Sequence, residues 1–113
     1  MNSLFNETTE AELLDLNEKF HCKKLLPEEF YNQLIKKGIT YKNSFLVSIF
    51  PDGNETYCGL IITQDKKIFE FDIDLCDSKY SNWINKTDDF QQRIKKNKKS
   101  KEAIALSLVE RLA

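Results

Sequence analysis

The stretch that decides the fold is Ile68-Phe69-Glu70-Phe71-Asp72-Ile73-Asp74-Leu75. From Phe69 its side chains alternate without a break, with Phe69, Phe71, Ile73 and Leu75 on one side and Glu70, Asp72 and Asp74 on the other. A period of two marks a strand with one wet face, because successive side chains of an extended backbone point to opposite sides. Upstream, Ser44 to Phe50 and Thr56 to Thr63 have the same β-branched and aromatic character. Pro51-Asp52-Gly53-Asn54 and Gln64-Asp65-Lys66-Lys67 supply turn residues between the three runs. Loops that short join antiparallel neighbours, so the spacing predicts a three-stranded antiparallel meander over residues 44–76. In this reading Phe45, Val47 and Ile49, then Cys58, Leu60 and Ile62, continue the inner face. The outer face combines Leu46, Phe50, Tyr57 and Ile61 with the acids.

The flanking segments switch to a period near 3.6. Thr9-x-x-Glu12 has the form of a capping box and predicts a helix over residues 8–20 that buries Leu13, Leu16 and Phe20, with Leu14 beside them. Leu26-Pro27-Glu28-Glu29 opens a second helix, whose apolar face is Phe30, Tyr31, Leu34 and Ile35 and whose end is Lys36-Lys37-Gly38. After Cys76 a polar connection holds Tyr80, Trp83 and Ile84. Thr87-Asp88-Asp89 then opens a short helix bearing Phe90 and Ile94. Ser100 caps a last helix with the stripe Ile104, Ala105, Leu108, Val109 and Leu112. The expected fold is α+β: one domain over residues 1–113, with a helical N-terminal part (1–43), the meander (44–76) and a helical C-terminal part (77–113). The N-terminal helix pair and the C-terminal helices are expected to pack on one face of the sheet.

At 113 residues the chain can bury about two-thirds of its unfolded surface around a core. No apolar run approaches the roughly 20 residues of a membrane span, and the N-terminus has no basic segment followed by an apolar one, so a cytoplasmic location is expected. An odd set of three cysteines, Cys22, Cys58 and Cys76, agrees with a reducing compartment. The balance of 17 basic against 18 acidic side chains hides segmentation. Residues 1–18 hold five acids and no base, and residues 19–43 six bases and two acids. Residues 44–78 hold seven acids and two bases, and residues 79–113 nine bases and four acids.

Catalytic chemistry finds little support. His21 and Cys22 are adjacent at a helix end and diverge, whereas a thiol–imidazole pair must meet at hydrogen-bond distance. With Cys58 and Cys76 they lack the short paired spacing that closes a zinc site. Glu70, Asp72 and Asp74 are about 7 Å apart along one strand face, with no pocket implied. No Gly-rich phosphate loop is present. No enzyme activity, cofactor or metal is expected. Two binding surfaces remain. An acidic, partly apolar meander face, with Glu55, Tyr57, Glu70, Asp72, Asp74 and Asp77, suits a basic protein partner. A basic run, Arg93, Lys95, Lys96, Lys98, Lys99 and Lys101, suits phosphates but has no aromatic residue interleaved for base stacking.

The run Tyr57-Cys58-Gly59-Leu60-Ile61-Ile62-Thr63, followed by a polar turn and Ile68-Phe69-Glu70-Phe71-Asp72, resembles small bacterial immunity proteins. These are the cytoplasmic antidotes encoded beside polymorphic or contact-dependent growth-inhibition toxins. The resemblance implies a non-enzymatic protein that binds a cognate toxin domain and blocks its active site; the acidic, partly apolar character of the meander face makes that face the expected interface. The alternative expectation is a nucleic-acid-associated regulatory or mobile-element protein that uses residues 93–101.

Overall fold

The computed structural model describes residues 2–51, 55–76, 81–97 and 100–112. In chain order it has α1 (Asn2–His21), α2 (Glu28–Lys37), a single 3₁₀ turn (Tyr41–Asn43), β1 (Phe45–Pro51), β2 (Thr56–Ile62), β3 (Ile68–Asp74), β4 (Ser81–Asn85), α3 (Thr87–Lys96) and α4 (Lys101–Leu112). The strands form one antiparallel sheet in the order β1-β2-β3-β4, so the fold is α+β. The turn residues Asp52, Gly53 and Asn54, and also Asp77, Tyr80, Lys98 and Lys99, lie outside the described residues.

The meander has four strands, not three. Ser81-Asn82-Trp83-Ile84-Asn85 offers only two apolar side chains between amides, too little for local propensity to declare a strand. Pairing with β3 makes it one, with Phe71 opposite Trp83 and Glu70 opposite Ile84.

The strand faces also differ from the expected grouping. Residues opposite each other across an antiparallel pair share a face. Tyr57 pairs with Ile73, Gly59 with Phe71 and Ile61 with Phe69, so these strand-2 residues belong with the apolar side of β3. Cys58 and Leu60 instead sit opposite Asp72 and Glu70. A bulge in β1 between Leu46 and Ser48 then sends Phe45 and Val47 to the second face and Ile49 to the first.

Helices consequently cover both faces, not one. On the first, α2 lays Phe30, Tyr31 and Leu34 over Leu46, Ile61, Phe71 and Ile73. Phe30 meets Phe71 and Tyr57 edge-on, with ring centres 5.6 and 5.9 Å apart. On the second, Phe90 of α3 and Ala105 and Leu108 of α4 pack with Phe45, Val47, Ile62 and Ile68. The local signals for α2 hold: Gly38 closes it at φ +88°, with its N–H on the Ile35 carbonyl and that of Ile39 on Leu34. Ile35, however, is exposed. Ser100 caps α4, its hydroxyl accepting from the N–H of Ala103.

The first helix begins at Asn2, so Thr9 and Glu12 lie inside it and the capping-box reading fails there. Its turns contribute to both cores, Leu13 to the second and Leu16 and Phe20 to the first. Between them Asn17, 3% exposed, reaches the outer edge of β1. Its Nδ2 donates to the carbonyls of Leu46 (2.8 Å) and Leu13 (2.9 Å), and its Oδ1 accepts the Leu46 N–H at 2.5 Å. One turn on, Nε2 of His21 donates to the Ser44 carbonyl at 2.7 Å, which fixes the proton on that nitrogen. Tyr31 donates its hydroxyl to the Phe20 carbonyl at 2.8 Å, tying α2 to the end of α1.

Three expected outcomes follow from this packing. Asn17→Ala strands the Leu46 N–H and C=O in a dry interface and should cost about 2–4 kcal/mol, read from urea unfolding. Gly59→Ala should be of similar severity, about 2–4 kcal/mol, because a Cβ there would lie 2.1 Å from the Ser48 carbonyl oxygen. Burial, reinforced by the neighbouring Tyr41 and Cys22, pushes the Tyr31 hydroxyl up to about 12. A folded-state value above the unfolded one stabilises the fold below pH ~10 and loses that contribution as pH rises toward 12. Urea midpoints should therefore fall across pH 10–12, and less steeply in Tyr31→Phe.

Candidate functional site: the uncovered half of the sheet

The second face of the sheet can be followed row by row across the strands. The row Phe45–Ile62–Ile68 lies beneath α3 and α4. The next two rows extend outward from it, Leu60 of the nearer one still packing against the edge of that core. Ser48, Leu60, Glu70 and Ile84 form one, and Phe50, Cys58, Asp72 and Asn82 the other. Phe50 at 59% and Ile84 at 42% are among the most exposed large apolar side chains described, and they stand at opposite margins of this surface. Between them run the alternating acids of β3, with Thr56 and Asp74 extending the pattern toward the strand end.

A cleft of about 270 Å³ opens between the two central rows, lined by Cys58, Glu70, Phe71, Asp72, Asn82 and Ile84. Asp72 presents one oxygen, Oδ1, that is sealed from solvent and has no hydrogen-bond partner among the described residues. A buried acceptor left unmet is costly. Lys86 guards one margin, 3.9 Å from Glu70 and 4.0 Å from Asp89. Both contacts are long and exposed, so they neutralise little of the acidic surface.

The sequence-predicted interface residues separate into groups. Glu70, Asp72 and Asp74 share the open surface. Tyr57 does not; it faces α2, edge-on to Phe30. Leu46 and Ile61, expected on the outer face, are fully buried on the same side as partly buried Tyr57, while Cys58 and Leu60, expected inside, stand opposite the acids. Glu55 sits at φ +61° where β2 begins, its carbonyl accepting the Leu75 N–H at 2.8 Å and its carboxylate the Cys76 thiol at 3.0 Å. Asp77 lies outside the described residues. Sequence reading missed Ile84 and Asn82, since the fourth strand that carries them was not legible.

The basic residues behave differently. Arg93, Lys95 and Lys96 are exposed on the last turns of α3, and Lys101 opens α4. The Arg93 guanidinium lies 5.0 Å from the Phe90 ring centre. Lys101 shares a surface depression with Glu12 and Asp15 of α1, and Arg111 pairs with Glu10. Part of the basic C-terminal segment therefore answers the acidic N-terminal one within the molecule.

No disulfide joins the three cysteines. Among the described residues, no group of three or more His, Cys, Asp or Glu side chains is arranged to hold a metal ion, and no helix is long and apolar enough to cross a membrane.

The hydrogen bond to Glu55, then burial and the Glu55 and Asp74 charges, push the Cys76 thiol upward from its ordinary value. At pH 8, Cys76 should react with iodoacetamide about threefold or more faster in Glu55→Ala than in the parent protein, as followed by residue-resolved mass spectrometry. Comparisons with protein-family models, curated proteins and solved structures returned no match for this chain.

Proposed function

We propose that the uncovered half of the sheet is a docking surface for a basic protein domain, and that the protein acts as an immunity protein, neutralising a bacterial toxin by covering its active site. The observation that carries this reading is the placement of exposed Phe50 and Ile84 on either side of Glu70 and Asp72. Apolar anchors at the margins supply affinity once buried, and a central acidic strip supplies encounter rate and register toward a basic surface. A toxin that acts on a polyanion needs such a basic surface at its active site, and an acidic sheet can exclude that substrate without chemistry of its own. The resemblance to immunity proteins falls on β2 and β3, the two strands that carry the centre of this surface.

The test is capture of the protein encoded immediately upstream, together with rescue of cells expressing it. Absence of both overturns the proposal. With the partner in hand, charge reversal at Glu70, Asp72 and Asp74 together should slow association about tenfold or more at low salt and flatten its salt dependence. Phe50→Ala with Ile84→Ala should instead raise the dissociation rate, by about tenfold or more. Tyr57→Phe, on the opposite face, should change neither rate.

A further inference from the structure

At the other end of the sheet is a cleft of about 470 Å³, bounded by the end of α1, the Tyr41–Asn43 turn, the β2–β3 turn and the last turns of α4. Its polar wall is His21, Lys42, Asn43 and Lys66, and Phe45 and Val109 form its apolar side. Among the described residues, no carboxylate lines it. The two lysines also differ from others nearby. Lys19 pairs with Asp15 and Lys86 with Glu70 and Asp89, while Lys23 lies over the rings of Tyr31 and Tyr41 and Lys37 over that of Phe69. Lys42 and Lys66 make no ion pair with any described residue.

Lys66 stands at φ +63°, after a turn closed by its own N–H on the Thr63 carbonyl at 2.8 Å. Glycine or asparagine fits that left-handed position with less strain, so a cation is held there against local backbone preference. The walls of the cleft are braced. Gln64 donates to the Gly38 carbonyl (3.0 Å) and accepts the Thr40 N–H (3.2 Å), Ser44 donates its hydroxyl to the Thr40 carbonyl (2.8 Å), and His21 holds Ser44. These bonds join the β2–β3 turn to the α2–β1 connection, so the two lysines are presented from a fixed frame.

We infer that this cleft binds an oxyanion group, a phosphate or a carboxylate carried by a small molecule, between Lys42 and Lys66. Two lysines that form no ion pair with a described residue, lining a concave, partly apolar site, are suited to a multiply charged oxyanion. The acidic surface of the proposed docking face lies at the opposite strand ends, where it repels such a ligand little through a Debye length of ~8 Å.

The test titrates the whole protein with sodium pyrophosphate and, separately, sodium citrate, at constant ionic strength set with chloride. Amide resonances are followed by ¹⁵N–¹H correlation spectra. Saturable shifts confined to residues 42–45 and 63–66, with a dissociation constant of about 1 mM or tighter, are expected for at least one of the two. The responding probe distinguishes phosphate from carboxylate. Lys66→Gly should raise the melting temperature by a few degrees, through relief of the left-handed backbone, while weakening binding about tenfold. Lys42→Gln should weaken it similarly and Lys67→Gln should not. Shifts that stay linear for both probes, or affinity unchanged in both Lys66→Gly and Lys42→Gln, overturn the inference.

Discussion

A single buried amide fixes where everything else can stand. An edge strand offers a row of unpaired N–H and C=O groups, and burying that edge without partners is prohibitive. Asn17 meets both groups of Leu46 with its own side-chain amide and returns its second N–H to Leu13. It acts as one residue of a missing strand, projected from a helix. Because Asn17 is fixed against β1, Leu13 enters one core and Leu16 and Phe20 the other. Helix α1 is thus the seam that joins two hydrophobic clusters lying on opposite sides of one sheet.

That arrangement explains why part of the sheet stays open. Helix α2 follows α1 in sequence and covers the face shared by Phe71, Ile73 and Ile61. The C-terminal helices start from the far edge, after β4, and cover the row nearest the β2–β3 turn, where Ile62 and Ile68 lie. Beyond that row β3 places an acid at every second position, and a helix packed there would bury carboxylates at a cost of several kcal/mol each. The acids therefore keep their half of the face clear, and Phe50 and Ile84 remain exposed beside them.

Charge is distributed with the same logic. The acidic segment of α1 is partly answered inside the molecule, by Arg111 against Glu10 and by Lys101 beside Glu12 and Asp15. Glu70 of β3 lies 3.9 Å from Lys86, a long contact. Lys42 and Lys66 lie at the opposite strand ends, with no carboxylate among the described residues lining the same cleft. A chain near neutrality thus presents an acidic sheet surface at one end and a cationic cleft at the other.

The residues show how far local pattern reaches. The alternation in Ile68–Leu75 determined that β3 would have one acidic and one apolar face, and Pro27, Gly38 and Ser100 set helix ends through their own backbone chemistry. The residues of β2 could not declare a face: Tyr57 and Ile61 are as apolar as Cys58, Leu60 and Ile62, so either phase was compatible with burial. Only pairing with β3 chose between them, and it placed Tyr57 under α2 and Cys58 beside Asp72. The bulge in β1, the strand made of Ser81–Asn85, and the role of Asn17 all arise from contacts between residues distant in sequence. Sequence by itself determined which residues are acidic, which are apolar and with what period. The tertiary structure decided which of them face one another, because strand register and helix coverage follow from packing and hydrogen bonding across the whole chain rather than from any short window.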